Sequence, residues 1–173
     1  MLSFRKYLPF YFFISFVIWG YFFRNYFTGE LSLTGDAIPY FSHFKFYVDS
    51  LRQGVFPLWE PFHASGVPFE FFLRRIGSYN PWISVLVILT QLGMDFFHAY
   101  MFFLSGYYFL AMLGFYFLAK EIFHEEIYAF IAYILLLFSS LSTLLFDSFL
   151  ILSFTPMVWF FYFLLNFAQN PRK

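Results

Sequence analysis

Five ionisable residues of this sequence could carry out chemistry: Asp36, His63, Arg74, Arg75 and Asp147. The carboxylate of Asp36 could accept a proton from a hydroxyl group or bind a divalent metal ion. The guanidinium groups of Arg74 and Arg75 match the geometry of phosphate oxygens. The imidazole of His63 could assist as an acid or a base. These residue types would support acid–base chemistry on a substrate that carries phosphate.

Each candidate also has an ordinary structural interpretation. Asp36 is well placed to cap a helix that begins at residue 37, where the helix dipole keeps the carboxylate ionised. The two arginines can instead contact lipid headgroups, and His63 can be a hydrogen-bonding loop residue. Asp147 is either a second polar contact or a solvated turn residue. Both interpretations of each residue remain open at this point.

The composition indicates a membrane protein. Of the 173 residues, 61% are hydrophobic and 29% aromatic, but only 12% are charged, against about 25% in a soluble domain. One aqueous core cannot bury 33 phenylalanines in so short a chain, whereas lipid is a natural solvent for them. The zero net charge gives no basic field for nucleic acid, and the lack of cysteine excludes disulfides and thiol chemistry.

Four long apolar runs are predicted to be transmembrane helices, at residues 7–27, 96–119, 127–141 and 149–167. A fifth run, residues 82–92, would extend only about 17 Å as a helix, against a hydrocarbon core of about 30 Å. We predict that it is a re-entrant or interfacial helix. Asp95 is predicted to cap the second span.

The distribution of basic residues sets the predicted orientation. With four spans, five cationic residues fall on the same side of the membrane: Arg5, Lys6, Lys120, Arg172 and Lys173. The positive-inside rule assigns that side to the cytoplasm. Both termini are therefore predicted to be cytoplasmic, and residues 28–81 form an outer loop.

The outer loop contains a segment with helical spacing, residues 37–53. Its apolar face is formed by Ile38, Phe41, Phe44, Val48 and Leu51. The polar residues of the segment fall on the opposite face, and Gly54 follows as a plausible stop. This pattern predicts an amphipathic helix that lies along the membrane surface.

The motifs of this loop resemble those of a known family. In order they are Gly35-Asp36, Leu51-Arg52-Gln53-Gly54-Val55-Phe56-Pro57-Leu58-Trp59-Glu60-Pro61, Ser65-Gly66-Val67-Pro68-Phe69 and Tyr79-Asn80-Pro81. With residues 133–140 and 149–160, they make the chain similar to the N-terminal part of the YfhO-type bacterial membrane proteins of the GT-C glycosyltransferase superfamily. The Gly-x-x-Pro-Leu-Trp element at residues 54–59 is the most specific part.

The resemblance implies a glycosyltransferase that transfers a sugar from a polyprenyl-phosphate donor to a cell-envelope acceptor, outside the bacterial cytoplasmic (inner) membrane. Asp36 would be the catalytic base, and the ligand if a divalent metal ion is used. Arg74 or Arg75 would stabilise the departing phosphate, with His63 and Asp147 as further substrate contacts. Membrane lipids and the polyprenyl-phosphate sugar donor are the expected partners, and nucleic acid is not. Since GT-C proteins usually have more spans, a fragment of a larger protein is expected.

The predicted fold is thus an all-α integral membrane domain of about four transmembrane helices, resembling a GT-C N-terminal module. The outer loop adds the amphipathic juxtamembrane helix and the short re-entrant or interfacial helix. The alternative function is a non-catalytic polytopic membrane protein, either a transporter part or an assembly subunit. Transporters usually mark their pathway with ionisable residues inside the spans. The predicted spans contain almost none, which favours chemistry at the membrane interface.

Overall fold

A computed structural model describes residues 2–30, 33, 37–61, 65–70, 72, 74, 81–140 and 150–169. This part of the chain is mostly helical, with one pair of very short strands. Its elements are α1 (Leu2–Phe22), α2 (Arg24–Phe27), α3 (Ala37–Arg52), β1 (Trp59–Glu60), β2 (Val67–Pro68), α4 (Ile83–Gln91), α5 (Phe96–Phe123), α6 (Glu126–Leu137) and α7 (Leu150–Gln169).

Helices α1 and α5 pack together in opposite directions. The rings of Phe12 and Tyr116 have centroids 4.8 Å apart, and those of Trp19 and Tyr108 are 5.1 Å apart. Later residues of α1 therefore meet earlier residues of α5. Aromatic edge-to-face contacts such as that between Phe12 and Tyr116 stabilise beyond simple burial.

Helix α6 runs back along α5 and lies beside α1. At its start, Glu126 Oε1 lies 2.8 Å from Lys120 Nζ. At its end, the Tyr108 hydroxyl donates a hydrogen bond of 3.3 Å to the Leu137 carbonyl. A buried contact of 3.0 Å between the Ser15 and Tyr133 hydroxyls joins α6 to α1.

Helix α7 runs parallel to α5. Thr155 donates to the Tyr107 carbonyl and Trp159 to the Leu110 carbonyl, each over 3.2 Å. The Trp159 indole comes so close to α5 that a Cβ at Gly114 would lie 2.9 Å from its nitrogen. Successive long helices of the bundle therefore alternate in direction.

Two of the described helices, α5 and α7, are long and apolar enough to cross a membrane. Within their most apolar 18 residues, 56% are buried in α5 but only 22% in α7. Helix α1 has 21 residues but is less apolar, and α6, with 12 residues, covers only about 18 Å. The outer face of α7 exposes several rings, including Phe160, Phe163 and Phe167. Such an apolar surface is suited to lipid.

Elements α3, β1, β2 and α4 form a cap over the end of the bundle where α5 begins. Phe41 of α3 packs against Phe96 and Tyr100 of α5, with ring centroids 5.1 and 5.2 Å away. Phe44, one turn further, is 1% exposed and approaches Phe103. The cap is thus held on the bundle by interlocking aromatic rings.

The cap differs from the sequence-based expectation in two respects. First, β1 and β2 pair antiparallel, so the fold is not purely helical. Second, α3 buries Phe44 and Val48 against protein and leaves only Ile38 of its predicted apolar face fully exposed. That face therefore packs mainly against protein, where the sequence led us to expect lipid.

Candidate functional site

Glu60 is the most buried charged residue in the part of the chain that the structure describes. Its side chain is 3% exposed, and Oε2 lies 2.8 Å from Nδ1 of His43, whose side chain is 15% exposed. Glu60 belongs to β1 and His43 to α3. The contact therefore joins the strand pair to the helix, at the centre of the cap.

The local backbone explains why Glu60 points inward. Successive strand residues face opposite sides, so β1 exposes Trp59 and buries Glu60. The connection to β2 passes through Gly66, whose φ of +102° is rarely adopted by other residues. A Cβ at Gly66 would also lie 2.6 Å from the Trp59 indole. The strand pair therefore requires glycine at position 66. The pairing of β1 with β2 in turn fixes the direction in which the Glu60 side chain points.

Aromatic side chains enclose the pair. The Phe72 ring lies against the His43 imidazole, with centroids 4.1 Å apart. Tyr40 of α3 is 8% exposed and packs on the same Phe72 ring at 5.8 Å. Because these rings exclude water, electrostatic interactions inside the cap are stronger than at the surface.

A buried carboxylate beside an imidazole has a defined chemical capability. A contact at Nδ1 orients the ring and determines what the other ring nitrogen can donate or accept. Removal of either partner deprives the remaining buried group of a polar contact, which costs stability. The pair of His43 and Glu60 can therefore hold an imidazole in one orientation and tie the strand pair to α3.

Of the residues predicted from sequence to bind substrate, Arg74 is described by the structure. Its side chain is 77% exposed, and Nη2 lies 2.5 Å from Oε1 of Glu70. Surface ion pairs of this kind contribute little stability, so Glu70 can be displaced at low cost by a phosphate group. Arg74 is therefore accessible to solvent.

The other predicted site residues, Asp36, His63, Arg75 and Asp147, lie outside the described residues. Their roles as base, acid–base assistant, phosphate ligand and polar contact stay predictions. Ala37, which follows Asp36 in sequence, begins α3 and is 2% exposed.

A second pair of a carboxylate and an imidazole lies at the start of α5. Asp95 accepts a hydrogen bond from the backbone amide of His98, which confirms its predicted capping role. Its Oδ2 also lies 2.6 Å from His98 Nδ1. The His98 backbone amide, and next its imidazole, hold the pKa of Asp95 below its usual range. Within the described ranges, no three His, Cys, Asp or Glu residues are grouped to hold a metal ion.

Sequence reasoning overlooked His43 and Glu60 as functional candidates. His43 falls between the apolar and polar faces of the predicted helix, so the hydrophobic periodicity assigned it to neither face. Glu60 was visible only as part of the Trp59-Glu60-Pro61 motif. One signal in the sequence could have identified Glu60: its carboxylate lies between two prolines, Pro57 and Pro61, in a segment predicted to be extended.

Comparison with known proteins identifies no relative of this chain. No family model, no curated protein sequence and no solved structure matches the chain.

Proposed function

We propose that this chain is a membrane-embedded, GT-C-like glycosyltransferase module. It would transfer a sugar from a polyprenyl-phosphate donor to a cell-envelope acceptor at the outer face of the bacterial cytoplasmic membrane. The observation that carries the proposal is the cap: a folded group of elements, with a buried contact between a carboxylate and an imidazole, seated on one end of an apolar bundle. A lipid-linked sugar would reach such a cap from the bilayer.

The proposed topology has four spans, formed by α1, α5, α6 and α7. The alternating directions of these helices support it, because each pair of successive spans must cross the membrane in opposite directions. Lys120, in the last turn of α5, lies at the same end of the bundle as Lys6 of α1. Basic residues at that end favour a cytoplasmic location, and the cap would then be outside.

The proposed chemistry divides among the residues of the outer loop. Asp36 would take the proton from the acceptor hydroxyl, as a general base. Arg74 or Arg75 would stabilise negative charge on the departing phosphate. The exposed position of Arg74, and its displaceable surface pairing with Glu70, support this role. His43 and Glu60 would position the cap around the site.

The second candidate function, a non-catalytic transporter or assembly subunit, fits less well. A transport pathway usually carries ionisable residues inside the spans. The sequence of α5 has no Asp, Glu, Lys, Arg or His between His98 and Lys120. The described charged residues of the cap, by contrast, lie at one end of the bundle. This distribution supports interfacial chemistry.

The test is Asp36→Asn in the complete gene product, assayed for sugar transfer in membrane vesicles supplied with polyprenyl-phosphate sugar. Loss of a general base lowers the rate by about 10²- to 10⁴-fold. Asp49→Asn is the matched control, because Asp49 is a surface acid of α3 whose carboxylate pairs with Lys45. Equal transfer by the two variants, with equal membrane insertion, would reject Asp36 as the base.

A further inference from the structure

An apolar groove runs between α1 and α5, at the end of the bundle opposite the cap. Its volume is about 590 Å³, within the range of about 300–1,000 Å³ typical of ligand pockets. Phe12 and Tyr116 form the floor, and Pro9 and Phe117 form exposed rims on the two helices. All nine residues that line it are apolar or aromatic.

The groove extends along the two helices between two sets of lining residues. Toward the cap, Phe16 packs on Phe109 with ring centroids 4.6 Å apart, and both rings belong to the lining. Away from the cap, the lining continues to Leu8 and Phe117. A linear hydrocarbon chain could therefore lie along the groove with its tip near the Phe16 and Phe109 rings.

Two lysines lie near the end of the groove that is away from the cap. Lys6 is exposed and precedes Pro9 and Phe13 by three and seven residues, so it shares their stripe on α1. Lys120 follows Phe117 by three residues and lies on the corresponding stripe of α5. Its charge is offset by Glu126, whose Oε1 lies 2.8 Å from Nζ. Of these two lysines, Lys6 is therefore the more available to an anionic group.

We propose that the groove binds one acyl chain of an anionic phospholipid whose headgroup lies at Lys6. An apolar channel with a cation at its mouth complements an amphiphile with a negatively charged head. The inference rests on the membrane-spanning arrangement proposed above but not on sugar transfer. The lipid would come from the leaflet opposite the cap, so the site is distinct from the one proposed for the sugar donor.

The test uses the full chain in nanodiscs that contain phosphatidylglycerol or phosphatidylcholine with a photoreactive diazirine in the acyl chain. Cross-linked peptides are mapped by mass spectrometry. We expect phosphatidylglycerol to label residues 8–16 and 109–117 more strongly than phosphatidylcholine does. Labelling of the exposed face of α7 by both lipids verifies insertion.

Two variants and two controls sharpen the result. Lys6→Gln should lower groove labelling by phosphatidylglycerol about fivefold, the effect of one basic residue at an anionic surface. Leu113→Trp should fill the groove and reduce labelling there by both lipids. Lys45→Gln, on the cap, and Leu164→Trp, on the exposed face of α7, should leave groove labelling unchanged.

The outcomes separate this site from the other proposals. Equal groove labelling by the two lipids, or no effect of Lys6→Gln, would overturn the site while labelling of α7 persists. Cross-links from the groove only to a second copy of the chain would also overturn it. Without labelling anywhere, the membrane arrangement and the site would both be wrong. Loss or retention of sugar transfer in Asp36→Asn is read separately and changes none of these results.

Discussion

The contact between Glu60 and His43 gives the strongest prediction about the cap. Glu60→Gln keeps the shape of the side chain and removes its charge. Because Glu60 is 3% exposed, water cannot replace the lost interaction with His43. Loss of a buried polar contact costs about 1–3 kcal/mol. The equilibrium constant for opening the strand pair should therefore rise about 5- to 150-fold.

A surface pair in the same cap provides the matched control. Lys45 Nζ lies 2.6 Å from Asp49 Oδ2, but the two side chains are 53% and 39% exposed. Asp49→Asn should therefore cost about 0.5 kcal/mol or less, which is at most a threefold change. The two contacts have similar lengths, so a difference between the variants would come from burial.

Hydrogen exchange read by mass spectrometry measures this opening directly. The Phe69 amide donates a bond of 3.0 Å to the Leu58 carbonyl and reports whether the strand pair is closed. Its protection should fall about 5- to 150-fold in Glu60→Gln and hardly change in Asp49→Asn. Similar small changes in both variants would refute the reasoning that the buried pair holds the strands on α3.

Two further predictions concern local structure. Gly66→Ala should destabilise the cap by about 2 kcal/mol, because alanine adds both a rarely adopted backbone conformation and a clash with Trp59. Gly54→Ala has the same kind of positive φ but no atom within 4 Å, so it should cost less; equal thermal unfolding shifts would contradict this. Asp95 has a lowered pKa, so its stabilising contribution is present above the unfolded pKa near 3.8 and is lost as pH falls through the folded value. NMR titration should place the Asp95 midpoint below 3.8, and His98→Ala, which keeps the backbone amide, should raise it part of the way. A midpoint at or above 3.8 in the unchanged protein would contradict the assigned cause, and an unchanged midpoint in His98→Ala would contradict the contribution of the imidazole.

Local features of this fold could be read from the sequence. Helical spacing predicted a helix over residues 37–53, and α3 covers Ala37–Arg52. Asp95 was predicted as a cap because its side chain needs to reach only three residues along the chain. Gly54, predicted as a stop, adopts a positive φ just beyond the end of α3. Each of these assignments depends on interactions within one or two helical turns.

The centre of the cap could not be predicted in the same way. Glu60 meets His43 only because the chain folds back across α3, and no periodic pattern specifies that return. The first span shows a related difference: residues 7–27 were predicted as one helix, whereas α1 ends at Phe22 and α2 begins at Arg24. Likewise, hydrophobic spacing identified an apolar face on α3 but could not distinguish lipid from α5 as its partner.

The central claim is that the cap and the turn between α5 and α6 lie on opposite sides of a membrane. The chain has no cysteine, so single substitutions can be labelled without background. Leu58→Cys in the cap and Glu125→Cys in the turn both replace exposed residues. In intact cells, a membrane-impermeant maleimide should label Leu58→Cys, and should label Glu125→Cys only after permeabilisation. Labelling of both variants from the same side, or recovery of the protein outside the membrane fraction, would contradict the account.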